Sequence, residues 1–334
     1  MPTTIQFFRK KRGKVFLLLI LLCVCVLGCA CGSTPLSLHD LWNALLWKQG
    51  YYNQSVILYY LRLPRVMAGV LAGAGLSVSG VLLQSITGNP LAGPSIIGVN
   101  SGAGFFCILL LSFYPGLWQG LPLAAFIGAI LTTSAILTIA KRIHATTGTV
   151  ILSGIACNAL LNAGISLLSL LDTDVLVSYN AFSIGGLRGV QFQQLILPAC
   201  IILVTFLICI VLSSSIQLLC LGDQIAASLG VRTRRVRNIA MICASASAAA
   251  AVSFAGLLGF VGLVIPHVAK RLCGNTTASL LNVSAICGAI LVVLADLLGR
   301  TLLAPTEIPV GIIMAFMGVP FLFSLLLKRR VVNA

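Results

Sequence analysis

Ten long apolar runs, separated by short basic or Gly/Pro-containing breaks, constrain this chain more than any other feature. They occupy residues 15–32, 58–84, 95–113, 121–140, 149–171, 195–215, 237–256, 257–269, 279–298 and 309–327. A helix that crosses a bilayer needs about 20 apolar residues, and most of these runs have that length. They are continuous rather than alternating, so they spell helices and not the strands of a barrel. Only 8% of the 334 residues are charged and 59% are hydrophobic, whereas a soluble domain carries about 25% charged residues. Such a chain cannot cover itself with polar surface and must be solvated by lipid. The expected fold class is an all-α integral membrane bundle.

The formal net charge is +15, which in a soluble protein would suggest nucleic acid. Here the cations sit in clusters between apolar runs, so no nucleic-acid partner is expected and the positive-inside rule applies instead. The eighth run is short and abuts the seventh, so hydropathy alone allows nine or ten spans. With ten spans and an internal N-terminus, sixteen basic residues fall inside and five outside. Those outside are Lys48, Arg62, Arg65, Arg188 and Arg300. Nine spans would put one end on the wrong side, so the asymmetry selects ten. Both termini are then cytoplasmic.

Twelve cysteines suggest a disulfide or metal framework at first sight. Cys23, Cys25, Cys29 and Cys31 fall in the first run, and most others also lie in apolar runs. None forms a CxxC pair with a partnering pair, and free Cys behaves as a small hydrophobe. No metal site is expected. The N-terminal segment imitates a signal peptide, down to Val-Leu-Gly-Cys ending at Cys29. Because further spans follow and the charge count needs it, this helix is expected to be retained.

The organisation is a cytoplasmic basic segment, 1–14, followed by one polytopic domain, 15–330, with polar intervals at 33–57, 172–194 and 216–236. A weak internal symmetry is present. Arg62 and Arg65 precede the small-residue run AGVLAGAGLSVSG, and Arg235 and Arg237 precede ASASAAAAVSFAG. Small residues let helices approach closely in lipid, and an inverted repeat of this kind occurs in transporters. Gly69 and Gly73, like Gly256, Gly259 and Gly262, are read as packing positions.

Residues 62–104, RLPRVMAGVLAGAGLSVSGVLLQSITGNPLAGPSIIGVNSGAG, resemble the permease subunits of bacterial ABC importers for iron–siderophores, haem and vitamin B12, the FecCD family. The resemblance covers roughly 15–330, departing mildly in a Cys-rich first span and a short 113–120 loop. Taken alone, the break from Gly88 to Pro94 is an ordinary turn. The resemblance implies that it lines the cytoplasmic mouth of the pathway, with Asn89 and Leu91 at the inner gate. HATTGTVILSGIAC, from His144 to Cys157, resembles the start of the family's fifth span, which places Thr146 and Thr147 near the other gate constriction.

The segment LCLGDQIAASLGVRTRRVR, 219–237, reads as a turn at Leu221-Gly222-Asp223, then a short helix over 224–229 stopped by Gly230. By itself it could be a mere connector. It resembles the family's coupling helix, with Gly222, Asp223, Ala226, Ala227, Leu229 and Gly230 in matching places. That helix docks in a cleft of the ATPase subunit. ADLLGRTLLAPTEIPVG, 295–311, resembles the segment joining spans nine and ten. There Arg300, with Arg62 and Arg65, matches arginines that pair with glutamates of the substrate-binding protein. From the residues alone, these arginines serve equally well as interfacial anchors, and Asp296 stands four residues before Arg300 on a helix.

No GxxxxGK[ST] occurs in the chain, so if transport uses ATP, hydrolysis must reside on another chain; the resemblance implies ATP and Mg on a partner ATPase, and no cofactor is expected here. No catalytic set of carboxylates, Ser-His or Cys-His emerges, so no catalytic residue is proposed and the chain is not read as an enzyme. His267 reads as a packed helix end. The resemblance implies a bacterial inner-membrane permease, paired as a homo- or heterodimer with a second permease subunit, two ATPases and an extracytoplasmic binding protein. The implied substrate is an iron–siderophore or similar metal chelate, with haem or cobalamin as alternatives. A different class, an ion- or proton-coupled carrier, would place ionisable groups at mid-depth, and these are scarce.

Overall fold

A computed structural model describes residues 8, 11–32, 36–142 and 147–332. Each of the ten apolar runs falls on a helix. These are α1 (Lys11–Ala30), α3 (Tyr52–Thr87), α4 (Val99–Phe113), α5 (Leu121–Arg142), α6 (Thr147–Leu171), α8 (Phe192–Val211), α11 (Thr233–Ala255), α12 (Val261–Cys273), α13 (Thr277–Thr301) and α14 (Val310–Val332). Four shorter helices sit between them: α2 (Leu38–Leu45), α7 (Thr173–Ile184), α9 (Ser213–Leu219) and α10 (Asp223–Ser228). No strand occurs among the described residues.

Two of the short helices lie in intervals that hydropathy leaves as loops. Each starts with a polar cap that satisfies orphan N–H groups. The Ser37 hydroxyl accepts from Asp40 N while the Asp40 carboxylate accepts from Ser37 N, a reciprocal box. Asp172 Oδ1 accepts from Asp174 N and Val175 N at the start of α7.

Helices α3 and α11 form the hub. In each, 78% of the apolar window is buried, against 56% for α13 and only 11% for α6. These two hubs are the small-residue helices of the internal symmetry. Small residues let the partners come close. A Cβ on Gly73 would collide with the main chain of Gly288, and one on Gly69 would lie 3.0 Å from Val293 Cγ2, so α3 and α13 run antiparallel in contact. Ser247 Oγ of α11 donates to Gly75 O of α3 at 3.0 Å. Gly80 of α3 meets the main chain of Gly262 in α12. The GxxxG pair is thus a packing device, as expected.

Helix α3 contains a wide turn over Ile57–Arg62, where Leu63 N bonds Leu58 O rather than the carbonyl four residues back. Pro64 follows at once. Its missing N–H would break a regular α-helix, and the π-type turn lets the helix continue through it.

The eighth span differs from its expected bounds of 257–269. Residues 256–260 are not helical, and α12 starts only at Val261. Gly256 (φ 71°) turns the chain, packed against Phe182 O and Gly185, and the segment then runs to Gly262, beside Gly80. Phe260 takes a left-handed φ of 65°, and its ring packs where Gly318 of α14 has no Cβ. Non-helical backbone is tolerated at membrane depth only inside protein or beside a hydrated cavity, and Gly256 and Leu258 are buried.

Candidate translocation and docking sites

From Val66 to Thr87, α3 is about 33 Å long at 1.5 Å per residue, close to the ~30 Å hydrocarbon thickness. One end of this stretch carries the arginines, and the other leads into the 88–94 break.

At the first end, the last carbonyls of α1 have no partner within their own helix. Two guanidiniums supply one. Arg62 Nη1 donates to Cys29 O (2.5 Å) and Ala30 O (2.8 Å). Arg300 donates to Gly28 O (3.0 Å) and Cys31 O (3.3 Å). Cations at a helix C-terminus also meet the negative end of its dipole. Both arginines are only 5% exposed. Asp296, at 2%, accepts from Arg65 Nε at 2.9 and 3.1 Å and lies 3.1 Å from Arg300 Nε. Arg65 Nη1 reaches on to Glu307 Oε2 at 3.0 Å. The expected Asp296–Arg300 pairing along one helix is present. Arg62, Arg65 and Arg300 are brought together, yet within this chain they already hold α1, α3 and α13 to one another. The part of Glu307 was not read from the sequence. Its signal was its rarity, since the chain has only six carboxylates and two of them gather here.

At the other end of α3, Gly88 takes φ 62° as its C-cap. Asn89 Oδ1 accepts from Leu91 N at 2.9 Å, and Asn89 O accepts from Ala92 N at 3.1 Å, so Asn89 shapes the turn through side chain and backbone. Asn89 and Leu91 are half-buried, while Gly93 and Pro94 are buried. The turn is fastened to α6, where Asn158 Nδ2 donates to Ser95 O at 3.0 Å and Asn158 Oδ1 accepts from Ser101 Oγ at 2.5 Å. Gly154 has no room for a Cβ against Ile96 O. Asn158 was not singled out in the sequence, because a lone Asn in an apolar run has no distinguishing pattern. Thr147 is the first residue of α6, while its side chain and all of Thr146 lie outside the described residues.

The 216–236 interval lies at the same end as this turn, since Cys220 Sγ lies 3.6 Å from Ser85 O. Helix α10 begins at Asp223 after Gly222 (φ 110°) and is followed by Gly230 (φ 83°). Asp223 pairs with Arg237 through two hydrogen bonds of 2.6 and 3.0 Å, which tie α10 to α11. Ala227 and Leu229 are exposed, and so are Leu221 and Ile225. Ala226 is fully buried and belongs to the main apolar core. One face of this short helix therefore packs inward and one is free. Ile225 joins the free face and was missed, because exposure within one short turn is not periodic enough to read.

This bundle has a close structural counterpart. A solved structure described as an inward-facing conformation of a metal-chelate type ABC transporter superposes with a TM-score of 0.86 at 30% identity, covering 96% of this chain and all of that one. The fold is that of the membrane-spanning permease of an ABC transporter. Residues 17–328 match the FecCD transport family, and the chain belongs to it. It is 35% identical to the hemin transport system permease protein HmuU of Yersinia pestis, over 94% of this chain and 95% of that protein. It is 36% identical to the iron(3+)-hydroxamate import system permease protein FhuB of Bacillus subtilis, over 98% of this chain and 86% of that protein.

Proposed function

We propose that this chain is the translocation subunit of an importer that carries an iron–siderophore into the cytoplasm, with ATP and Mg bound and hydrolysed on two partner ATPases. A second permease subunit, the same or a homologue, completes the pathway, and an extracytoplasmic binding protein delivers the chelate. The arginine end faces outward and the α10 end faces the ATPases, with both termini cytoplasmic. The observation that carries this reading is the free apolar face of α10, formed by Ile225 and Leu229 at 51% and 59% exposure. It sits at the same end as the 88–94 turn, in a chain with no phosphate-binding loop of its own. The nearly bare face of α6 is the natural surface for the second permease. Asn89, Leu91, Thr146 and Thr147 are proposed as the inner gate, and Arg62, Arg65 and Arg300 as the docking arginines.

A proton-coupled carrier fits less well. Among the described residues, the one carboxylate buried in a spanning helix, Asp296, is neutralised by two arginines near the helix end. The test is reconstitution of the permease with its ATPase and binding protein in liposomes. ATP-dependent accumulation of a ferric hydroxamate is expected. Accumulation of hemin alone would move the reading to haem import, for which the similarity to the hemin permease is the motive. Uptake that follows a proton gradient without ATP would overturn the importer mechanism.

A further inference from the structure

A cavity of about 450 Å³ opens beside the arginine network and shares Arg65 and Glu307 with it. Its wall includes Arg65, Trp118, Phe182, Arg188, Phe254 and Glu307. That volume lies within the ordinary range for ligand pockets, about 300–1,000 Å³. Its floor is held by main-chain bonds between separate elements. Gly186 N donates to Ala255 O at 2.9 Å, and Gly311 N donates to Gly185 O at 3.2 Å. The ends of α7, α11 and α14 therefore meet at the cavity, and all three contribute to its lining.

The charges around the rim are unequal. Arg65 and Glu307 satisfy one another at 3.0 Å. Arg188 is exposed and makes no hydrogen bond or ion pair among the described residues. One guanidinium is thus left over, beside the apolar faces of Trp118, Phe182 and Phe254. A guanidinium binds a carboxylate through a planar fork, and the aromatic wall favours an apolar neighbour over a hydrated ion.

We infer that this cavity is a socket for a protruding loop of the extracytoplasmic binding protein, which places an acidic side chain on Arg188 and an apolar one against the aromatic wall. The inference rests on the importer reading above and extends it with a fourth arginine and a concave seat. The cavity shares Arg65 with the proposed docking network, so the two surfaces are continuous. Because Arg188 holds nothing among the described residues, it can set partner choice without being needed for their packing.

The test uses the permease–ATPase complex in nanodiscs and the binding protein that supports its uptake. Arg188→Glu is expected to weaken docking about tenfold or more and to flatten its salt dependence, with the melting temperature unchanged. Arg188→Lys should be intermediate, and Trp118→Ala should weaken docking without changing its salt dependence. If Arg188→Glu and Trp118→Ala dock as wild type does, the socket is refuted and the importer reading stands. If wild type docks no binding protein while still taking up chelate, the importer reading falls first and the socket with it. Citrate is the control for a small-molecule occupant. Citrate binding that Arg188→Glu abolishes, with docking intact, would overturn the socket in favour of a carboxylate-ligand site.

Discussion

Arg65 clamps Asp296 through Nε, 2.9 Å from one carboxylate oxygen and 3.1 Å from the other, and so ties the start of α3's membrane stretch to the end of α13. Asp296 is 2% exposed and also faces Arg300, so its charge is shared by two cations. Removing one partner of a buried pair leaves the other uncompensated, at a cost of about 3–5 kcal/mol. Asp296→Ala is therefore expected to lower the melting temperature of the detergent-solubilised protein sharply. Glu307 is 30% exposed, and a pair of that kind contributes only about 0–1 kcal/mol, so Glu307→Gln should melt close to wild type. Equal losses for the two variants would refute this ranking.

Two glycines of α3, four residues apart, should respond very differently to one added methyl. At Gly73 the new Cβ meets the backbone of Gly288, which cannot swing away. At Gly69 it meets a valine methyl at 3.0 Å, which can yield by a few tenths of an ångström. Overpacking typically costs about 1–3 kcal/mol. Gly73→Ala should reach or exceed the top of that range and Gly69→Ala should stay near the bottom, read as melting temperature and as folded yield from membranes. A milder Gly73 variant would mean that α3 and α13 can part without loss.

The two faces of α10 separate coupling from folding. Ile225→Asp or Leu229→Asp alters only the free face, and should abolish ATPase association while leaving the permease folded. Ala226→Glu forces a carboxylate into the core and should destabilise the protein whether or not an ATPase is present. Gly230→Trp is likewise mixed, because φ 83° strains any L side chain even though the space around it is open. A pull-down together with a thermal melt distinguishes these. Normal ATPase capture by Leu229→Asp would count against α10 as the coupling helix.

The positions and order of the apolar helices were legible in the sequence, because a twenty-residue apolar run in lipid has one cheap solution, although among the described residues seven helices are long and apolar enough by themselves to cross a membrane. Where the physics is not additive along the chain, the reading stopped short. The span at 257–269 is shifted because Gly256 turns the chain at φ 71° and residues 256–260 leave the helix, a stretch that hydropathy counts as helix. The helix at 173–184 was hidden because its identity depends on the Asp172 cap and not on a periodic face. Arg62, Arg65 and Arg300 stood out for being cations on the minority side. Nothing in their spacing said that two of them would bond the carbonyls of α1, since those contacts join residues about 30 and 270 positions apart. The inward turn of Ala226 was equally invisible, being settled by what packs above a six-residue helix.

Topology is checked by fusions. A reporter active only outside the membrane should be silent after Ala334 and active at Gly50. Gly50 lies in the exposed connection between α2 and α3 at φ 90°, with open space around it. An active C-terminal fusion would rule out the ten-span arrangement.

The buried arginines give the last and most discriminating test. Arg62 and Arg300 reach four consecutive carbonyls, Gly28 to Cys31, at the end of α1, and each is only 5% exposed. A binding protein can use them only by drawing those donors away from α1, or by adding acceptors around them. Arg62→Glu and Arg300→Glu would set a carboxylate against carbonyl oxygens and should destabilise the isolated permease as well as abolish docking. Such reversals cannot by themselves separate anchoring from recognition. Lysine can separate them, because it keeps the charge and one donor toward α1 but loses the planar fork that grips a carboxylate. If these residues dock the binding protein, Arg62→Lys and Arg300→Lys should melt within a few degrees of wild type yet dock at least about tenfold more weakly, a loss of roughly 1.4 kcal/mol. If both variants melt lower while the folded fraction docks as tightly as wild type, their work is confined to tethering α1. Arg65, which is 13% exposed and already carries Glu307, would then be the one residue of the three still able to meet an acidic partner.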